Sequence, residues 1–342
     1  MSEFSGCVPF FPTPYPGESY YSVLCRYHLR SGNSSAVHTQ VQLFGHGINL
    51  FQTLLIPVCL HLLSSRVLAD NYIDPRLFAL QNTALPLSFL NKQYVEKLPN
   101  DLLYEYRSSN LRCFCHDLIQ TSSRKLRFCR SCAREQQILY GEAYWQILPQ
   151  LDGVEFCPIH KERIISSDCT LNRNSNSMIP ASTVLEELNH TEPECAPVSW
   201  YKENDVRRFP EVFVSMSESF SWLLKNAAAY DGLWQAISRY RTILIDPDTQ
   251  IWSDYSVVKA RLMKRHHLPL VNWLFTSSLP GTATNYIFFG GLPIAGHILM
   301  MVLLKGSAKR FMSVVRVGRK KPIRVGRKEP ISVGRKKPQI VG

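Results

Sequence analysis

The chain contains none of the short signatures that announce common enzyme chemistry. It has no Gly-x4-Gly-Lys-Ser/Thr phosphate loop, which argues against ATP hydrolysis. Gly-x-Ser-x-Gly and His-Glu-x2-His are also absent, so neither a serine-hydrolase elbow nor a zinc-protease helix is present. Asp and Glu are scattered, and no carboxylate triad for a two-metal nuclease stands out. No secretory charged-then-apolar leader opens the sequence; Met1 to Pro16 is rich in Pro, Phe and Tyr instead. Ten cysteines show no regular disulfide framework, which suits a reducing cytosol and a cytoplasmic location. Ile287 to Leu304 is an apolar run of membrane-spanning length, but Gly290, Gly291, Pro293, Gly296 and His297 interrupt it. A core helix after a Gly/Pro turn is expected there, with no membrane contact.

Acidic residues are scarce at the C-terminus. Between Arg316 and Gly342 ten Lys or Arg face a single Glu, so +9 of the net +12 lies in this tail and the body is only mildly basic. The tail repeats by eights: Arg316–Ile323, Arg324–Ile331 and Ser332–Gln339. Gly and Pro in each unit block a helix, and the charge blocks a core, so residues 313–342 are expected to be disordered. Such a tail either coats DNA phosphates without sequence preference or is the degenerate end of a shortened reading frame.

Among what is present, one pattern dominates. Cys129-x2-Cys132 is followed, twenty-four residues on, by Cys157-Pro-Ile-His160. Two close pairs of soft ligands are what a tetrahedral Zn²⁺ requires, and four protein ligands leave no open position for water. The expected cofactor is therefore structural Zn²⁺ held by Cys129, Cys132, Cys157 and His160. Tyr140, Tyr144 and Trp145 lie between the pairs and can pack around such a site. Cys113, Cys115 and His116 are candidates for a second site, with Cys169, His190 or Cys195 completing it, although their spacing is irregular.

The sequence predicts a mainly α protein. Residues 1–110 read as a helical region, with a helix over Glu18–Arg30 stopped by Ser31-Gly32-Asn33. Glu18 and Arg26 share a face and suit a salt bridge. Leu43-Phe44-Gly45 reads as a turn, and Pro57–Leu68 as an amphipathic stretch. Residues 111–170 form the zinc segment, 171–200 a polar linker, and 201–312 a second helical region compatible with a helix-turn-helix. Two basic clusters are candidate DNA contacts: Arg124, Lys125, Arg127, Arg130 and Arg134 beside the first knuckle, and Lys259, Arg261, Lys264 and Arg265 on a later helix. A solvated charged face is the competing reading of both.

Several of these stretches resemble the TniQ/TnsD family. Phe10-Phe-Pro-Thr-Pro-Tyr15-Pro-Gly-Glu18 through Arg26 looks like its proline-rich opening and first helix, and Leu43-Phe44-Gly45 fits the turn that follows. Leu126 to His160 is similar to the family's zinc segment, and Leu292 to Ser307 to an apolar helix of TnsD. The resemblance implies target-site selection in transposition: sequence-specific binding of double-stranded DNA at an attachment site, and recruitment of an AAA+ ATPase regulator through the N-terminal region. It implies no catalysis. Longer TnsD proteins continue where this chain enters its basic repeat, which suggests a shortened core with altered target reading. Other readings are an adaptor that docks on an RNA-guided CRISPR complex, a zinc-scaffolded nuclease or recombinase, and an unrelated zinc-containing transcription regulator.

Overall fold

A computed structural model describes residues 8, 10–64, 73–90, 109–118, 123–172, 174, 177–185, 201–226, 270–271 and 293–315. It is mainly helical, with one two-stranded antiparallel sheet among the described residues.

Helix α1 spans Tyr20–Ser31. Ser19 caps it, accepting the Ser22 N–H at 3.2 Å, and Gly32 ends it at φ +68°. That left-handed turn is why the sequence stops there. Tyr20, Tyr21, Val23, Leu24 and Tyr27 are all buried, so α1 is a core helix. Helix α2 (Ala36–Phe44) begins at the Ser35 cap and closes on Gly45, the expected Phe-Gly turn. Two single-turn helices follow, α3 (Leu50–Thr53) and α4 (Leu60–Leu63). Within the amphipathic stretch expected over Pro57–Leu68, α4 is the α-helical part among the described residues, and residues 65–68 lie outside them. Helix α5 (Pro75–Asn82) starts with Pro75 behind the Asp74 cap, a position where the missing N–H costs nothing.

After α6 (Ser109–Leu118), strand β1 (Ser123–Phe128) pairs with β2 (Ile165–Asn172). A register break between Lys125 and Arg127 makes a bulge. Helix α7 (Arg130–Tyr140) lies between the strands in sequence, and the short α8 (Ala181–Leu185) follows β2. Helices α9 (Glu203–Arg208) and α10 (Pro210–Asn226) lead to α11 (Ile294–Lys305) and α12 (Ala308–Val315). Helix α10 packs against both α11 and α12.

One cluster of buried residues runs through all these parts, including Tyr20, Trp145, Phe213, Ile298 and Phe311. The divisions expected at 110 and 170 therefore do not separate independent cores among the described residues. The linker expected at 171–200 is corrected in its first half. Leu171, Met178 and Ala181 are buried, and the Ile179 N–H donates to the Tyr21 hydroxyl at 3.0 Å. Residues 186–200 lie outside the described set.

His297 is buried within α11, in the apolar run expected to be core. No helix among the described residues is long and apolar enough to cross a membrane. Helix α12 carries the chain to Val315, past the boundary set for the disordered tail; residues 316–342 lie outside the described set.

Candidate metal centre

Strand β1 delivers Cys129 to the start of α7, where its sulfur accepts the Cys132 N–H at 3.3 Å. Cys157 does the same in the second knuckle, accepting the His160 N–H at 3.4 Å. Lys161 takes a left-handed φ of +61° there, and its N–H donates to the Cys157 carbonyl at 2.9 Å, closing the turn. Amide donors aimed at sulfur favour the thiolate, the form that binds metal.

The four ligand atoms lie within 4.8 Å of one another. Cys132 Sγ and Cys157 Sγ are 3.7 Å apart, too far for a disulfide. His160 Nδ1 lies 3.3, 3.4 and 3.6 Å from the sulfurs of Cys129, Cys132 and Cys157. A tetrahedral ion with metal–sulfur bonds of about 2.3 Å and a metal–nitrogen bond of about 2.0 Å needs edges of roughly 3.5–3.8 Å. The observed separations fall close to that range, and the three cysteines are buried, so the residues fit a metal ion. The other imidazole nitrogen, Nε2, donates to Glu135 Oε1 at 3.0 Å. That bond fixes the tautomer so that Nδ1 offers its lone pair to the metal position. The Glu135 carboxylate also raises the His160 pKa above its ordinary value.

Glu162 is a residue that the ligand spacing did not reveal. Its carboxylate accepts from the Ser131 N–H at 2.9 Å and the Ser131 hydroxyl at 3.0 Å, and lies 2.8 Å from Cys129 Sγ. It thereby pins one knuckle to the other. Burial opposes its charge, but these hydrogen bonds win and hold its pKa below the ordinary value.

Of the second-site candidates, the His116 side chain, His190 and Cys195 lie outside the described residues. Cys113 is exposed and Cys115 buried, two residues apart on α6 and so on diverging faces. Among the described residues the Cys3His group is the only cluster found with metal-site geometry.

The basic cluster beside the knuckle divides. Lys125, Arg130 and Arg134 are exposed. Arg124 and Arg127 are not DNA contacts, a correction to the expectation from sequence. Both are 1 % exposed, because the bulge turns Arg127 inward along with Arg124. Arg124 pairs with Asp152 and donates to the Gln150 carbonyl. Arg127 donates to Glu155 at 2.8 Å. Burial lowers the Arg124 pKa to about 9, with the neighbouring charge of Arg127 adding to the effect. The pattern had a signal: Arg124 and Arg127 are spaced by three, as are Asp152 and Glu155. Lys259, Arg261, Lys264 and Arg265 lie outside the described residues.

The knuckles are welded to α1. Arg26 donates to Glu18 and to Glu142, each at 2.8 Å, which realises the expected Glu18–Arg26 pair and extends it. Tyr15 donates its hydroxyl to Glu142 at 2.9 Å and stacks between Arg26 and Tyr140. Trp145 is fully buried, donates Nε1–H to the Ile179 carbonyl at 2.7 Å, and meets Phe128 edge-on. Glu18 and Gln146 form a β-bridge. The opening segment, α1 and the Cys/His cluster are thus packed together, and β2 and the segment through Ile179 share the same core.

The TniQ family model matches the chain over residues 9–164, a span that holds α1 and all four Cys/His residues. Residues 9–164 form a TniQ domain. No curated protein matches the chain. A TniQ domain implies involvement in transposition target selection, alongside the transposition machinery. The Cys3His cluster of this TniQ domain is compatible with a metal site.

Proposed function

We propose that this protein selects target sites for DNA transposition by binding duplex DNA at an attachment site and recruiting an AAA+ ATPase regulator. Its work is recognition and recruitment, without catalysis. The observation that carries the reading is the TniQ match over a span that contains the whole Cys3His cluster.

Cys129, Cys132, Cys157 and His160 hold one structural Zn²⁺ in this reading. All four positions are protein ligands, so the ion supplies rigidity and no activated water. The exposed Lys125, Arg130 and Arg134 are available to phosphates, which set orientation on a duplex but carry no sequence information. Lys259, Arg261, Lys264 and Arg265 remain DNA-contact candidates on their sequence pattern alone.

Selection of genomic duplex fragments by the purified protein at moderate salt tests the reading, with and without residues 316–342. One enriched site that survives removal of the tail is the expected result. Binding that is sequence-blind and lost with the tail would sink it, and would favour an adaptor steered by an RNA-guided complex. Co-purification with the AAA+ regulator tests recruitment separately.

A further inference from the structure

Helix α11 ends at Lys305 and the chain turns at once. Gly306 adopts φ +78°, and its N–H donates to the Val302 carbonyl at 2.7 Å. Ser307 starts the next helix, its hydroxyl accepting the Arg310 N–H at 3.2 Å and its carbonyl the Phe311 N–H at 3.0 Å. The first turn of α12 is fastened to a third helix, because the Ala308 N–H donates to Ser219 Oγ on α10 at 3.0 Å.

Helix α12 is sharply two-faced. Ala308, Phe311 and Met312 are buried, while Lys309, Arg310 and Ser313 are exposed. Positions 309, 310 and 313 fall on one side of a helix. Neither Lys309 nor Arg310 has a carboxylate partner among the described residues. The surrounding sequence explains why: between Asp254 and Glu329 there is no Asp or Glu. Lys259, Arg261, Lys264 and Arg265 precede the helix in this stretch, and Arg316, Arg319, Lys320 and Lys321 follow it. Folded surfaces ordinarily mix the two signs. A one-signed stretch repels itself and is relieved by a polyanion.

Two helices joined by a tight Gly-containing turn and braced by a third are the arrangement in which the second helix enters a major groove. Eight residues of helix are about 12 Å long, close to the width of that groove. We propose that α12 is the helix that enters the major groove of duplex DNA, presenting Arg310 and Ser313 to base edges and Lys309 to a phosphate. This rests on the DNA-binding reading above and adds to it the element that reads. The guanidinium fork matches guanine, serine bonds to any base edge it meets, and an ammonium is suited to phosphate.

The test uses the full chain and three variants: Lys309→Ala/Arg310→Ala, Arg310→Lys, and Lys225→Ala as an exposed control at the end of α10. The probes are the genomic fragment that the wild type enriches most and a shuffled duplex of the same length. The double variant should lose at least about tenfold in affinity for the enriched fragment, with the log–log salt slope smaller by about 2. Arg310→Lys should keep its affinity for the shuffled duplex but lose about tenfold of the preference for the enriched one. Lys225→Ala should change either by less than about twofold. Equal melting temperatures will show that all variants are folded, since the altered side chains are exposed. If the wild type enriches a fragment and the α12 variants keep the full preference, the inference is overturned and DNA reading stands elsewhere. If the wild type enriches nothing, the DNA-binding reading fails and takes the inference with it.

Discussion

Arg127 donates to Glu155 across 2.8 Å, and both side chains are shut away from water at 1 % and 0 % exposure. The Tyr201 hydroxyl donates to the same carboxylate, and Arg163 lies 3.7 Å from it while pairing with Glu203 on α9 at 2.9 Å. An arginine that reads in sequence as a DNA contact thus belongs to the joint between β1, the segment before the second knuckle, and the C-terminal helices.

Arg127→Ala should therefore act on stability. It leaves Glu155 buried with its closest cation gone, and breaking a buried pair costs about 3–5 kcal/mol. Arg130→Ala, three residues along and exposed, should change stability by less than about 0.5 kcal/mol. Urea unfolding compares the two; equal midpoints would show that the buried pair contributes nothing.

Cys157→Ser should release the metal and loosen both knuckles. Elemental analysis of the purified variant should find less than about a tenth of the wild-type zinc, because a hydroxyl is a poor substitute for a thiolate. Glu162→Gln keeps all four ligands but weakens the clasp on Ser131, and partners outside the ligand set commonly change affinity by about 10–100-fold. It should bind zinc at full stoichiometry and lose it faster to a chelator. Full zinc content in Cys157→Ser would refute the ligand set.

Glu18 gives a prediction about pH. Burial raises its carboxyl to about 7, against the pull of Arg26 and of the Tyr15 N–H. One oxygen, Oε1, is buried without a hydrogen-bond partner. The folded state then holds a proton that the unfolded chain releases from about pH 4.5 upward. This group's contribution to stability falls as pH rises from about 4.5 to 7 and is flat above that. Glu18→Gln removes the dependence, so the wild type should lose stability relative to the variant across that window, by at most about 3 kcal/mol. A difference between the two proteins that stays constant from pH 5 to pH 7.5 would contradict the raised value.

The parts that sequence made legible are those whose cause is local. The knuckle pairs are two short motifs, and each closes its own turn with amide-to-sulfur bonds. Gly32 and Gly45 end helices by a backbone conformation that glycine adopts freely. The apolar density of Ile298 to Leu303 identified a buried helix. What sequence concealed depends on distant partners. Arg124 and Arg127 looked solvent-facing because Asp152 and Glu155 come some twenty-eight residues later and because a bulge, invisible in composition, puts Arg127 on the same buried side as Arg124. Ser177 and Ile179 sit in a polar stretch that reads as linker, yet Tyr21 and Trp145 hold their backbone groups.

The bonds from Tyr21 and Ser22 to Ile179 and Trp145 set an order on the making of this protein. Helix α1 leaves the ribosome first; Phe78 and α3 follow soon after, but Trp145 and Ile179, which complete its cover, are encoded more than a hundred residues downstream. At roughly 5–20 residues per second, about 8–30 s pass between the synthesis of Tyr20 and that of Ile179. Through that interval a helix carrying Tyr20, Tyr21, Val23 and Leu24 waits with part of its cover missing. The cysteines arrive inside the same interval, so metal loading and the sealing of the first helix fall together. A chain made without the metal proposed for this cluster would lose both.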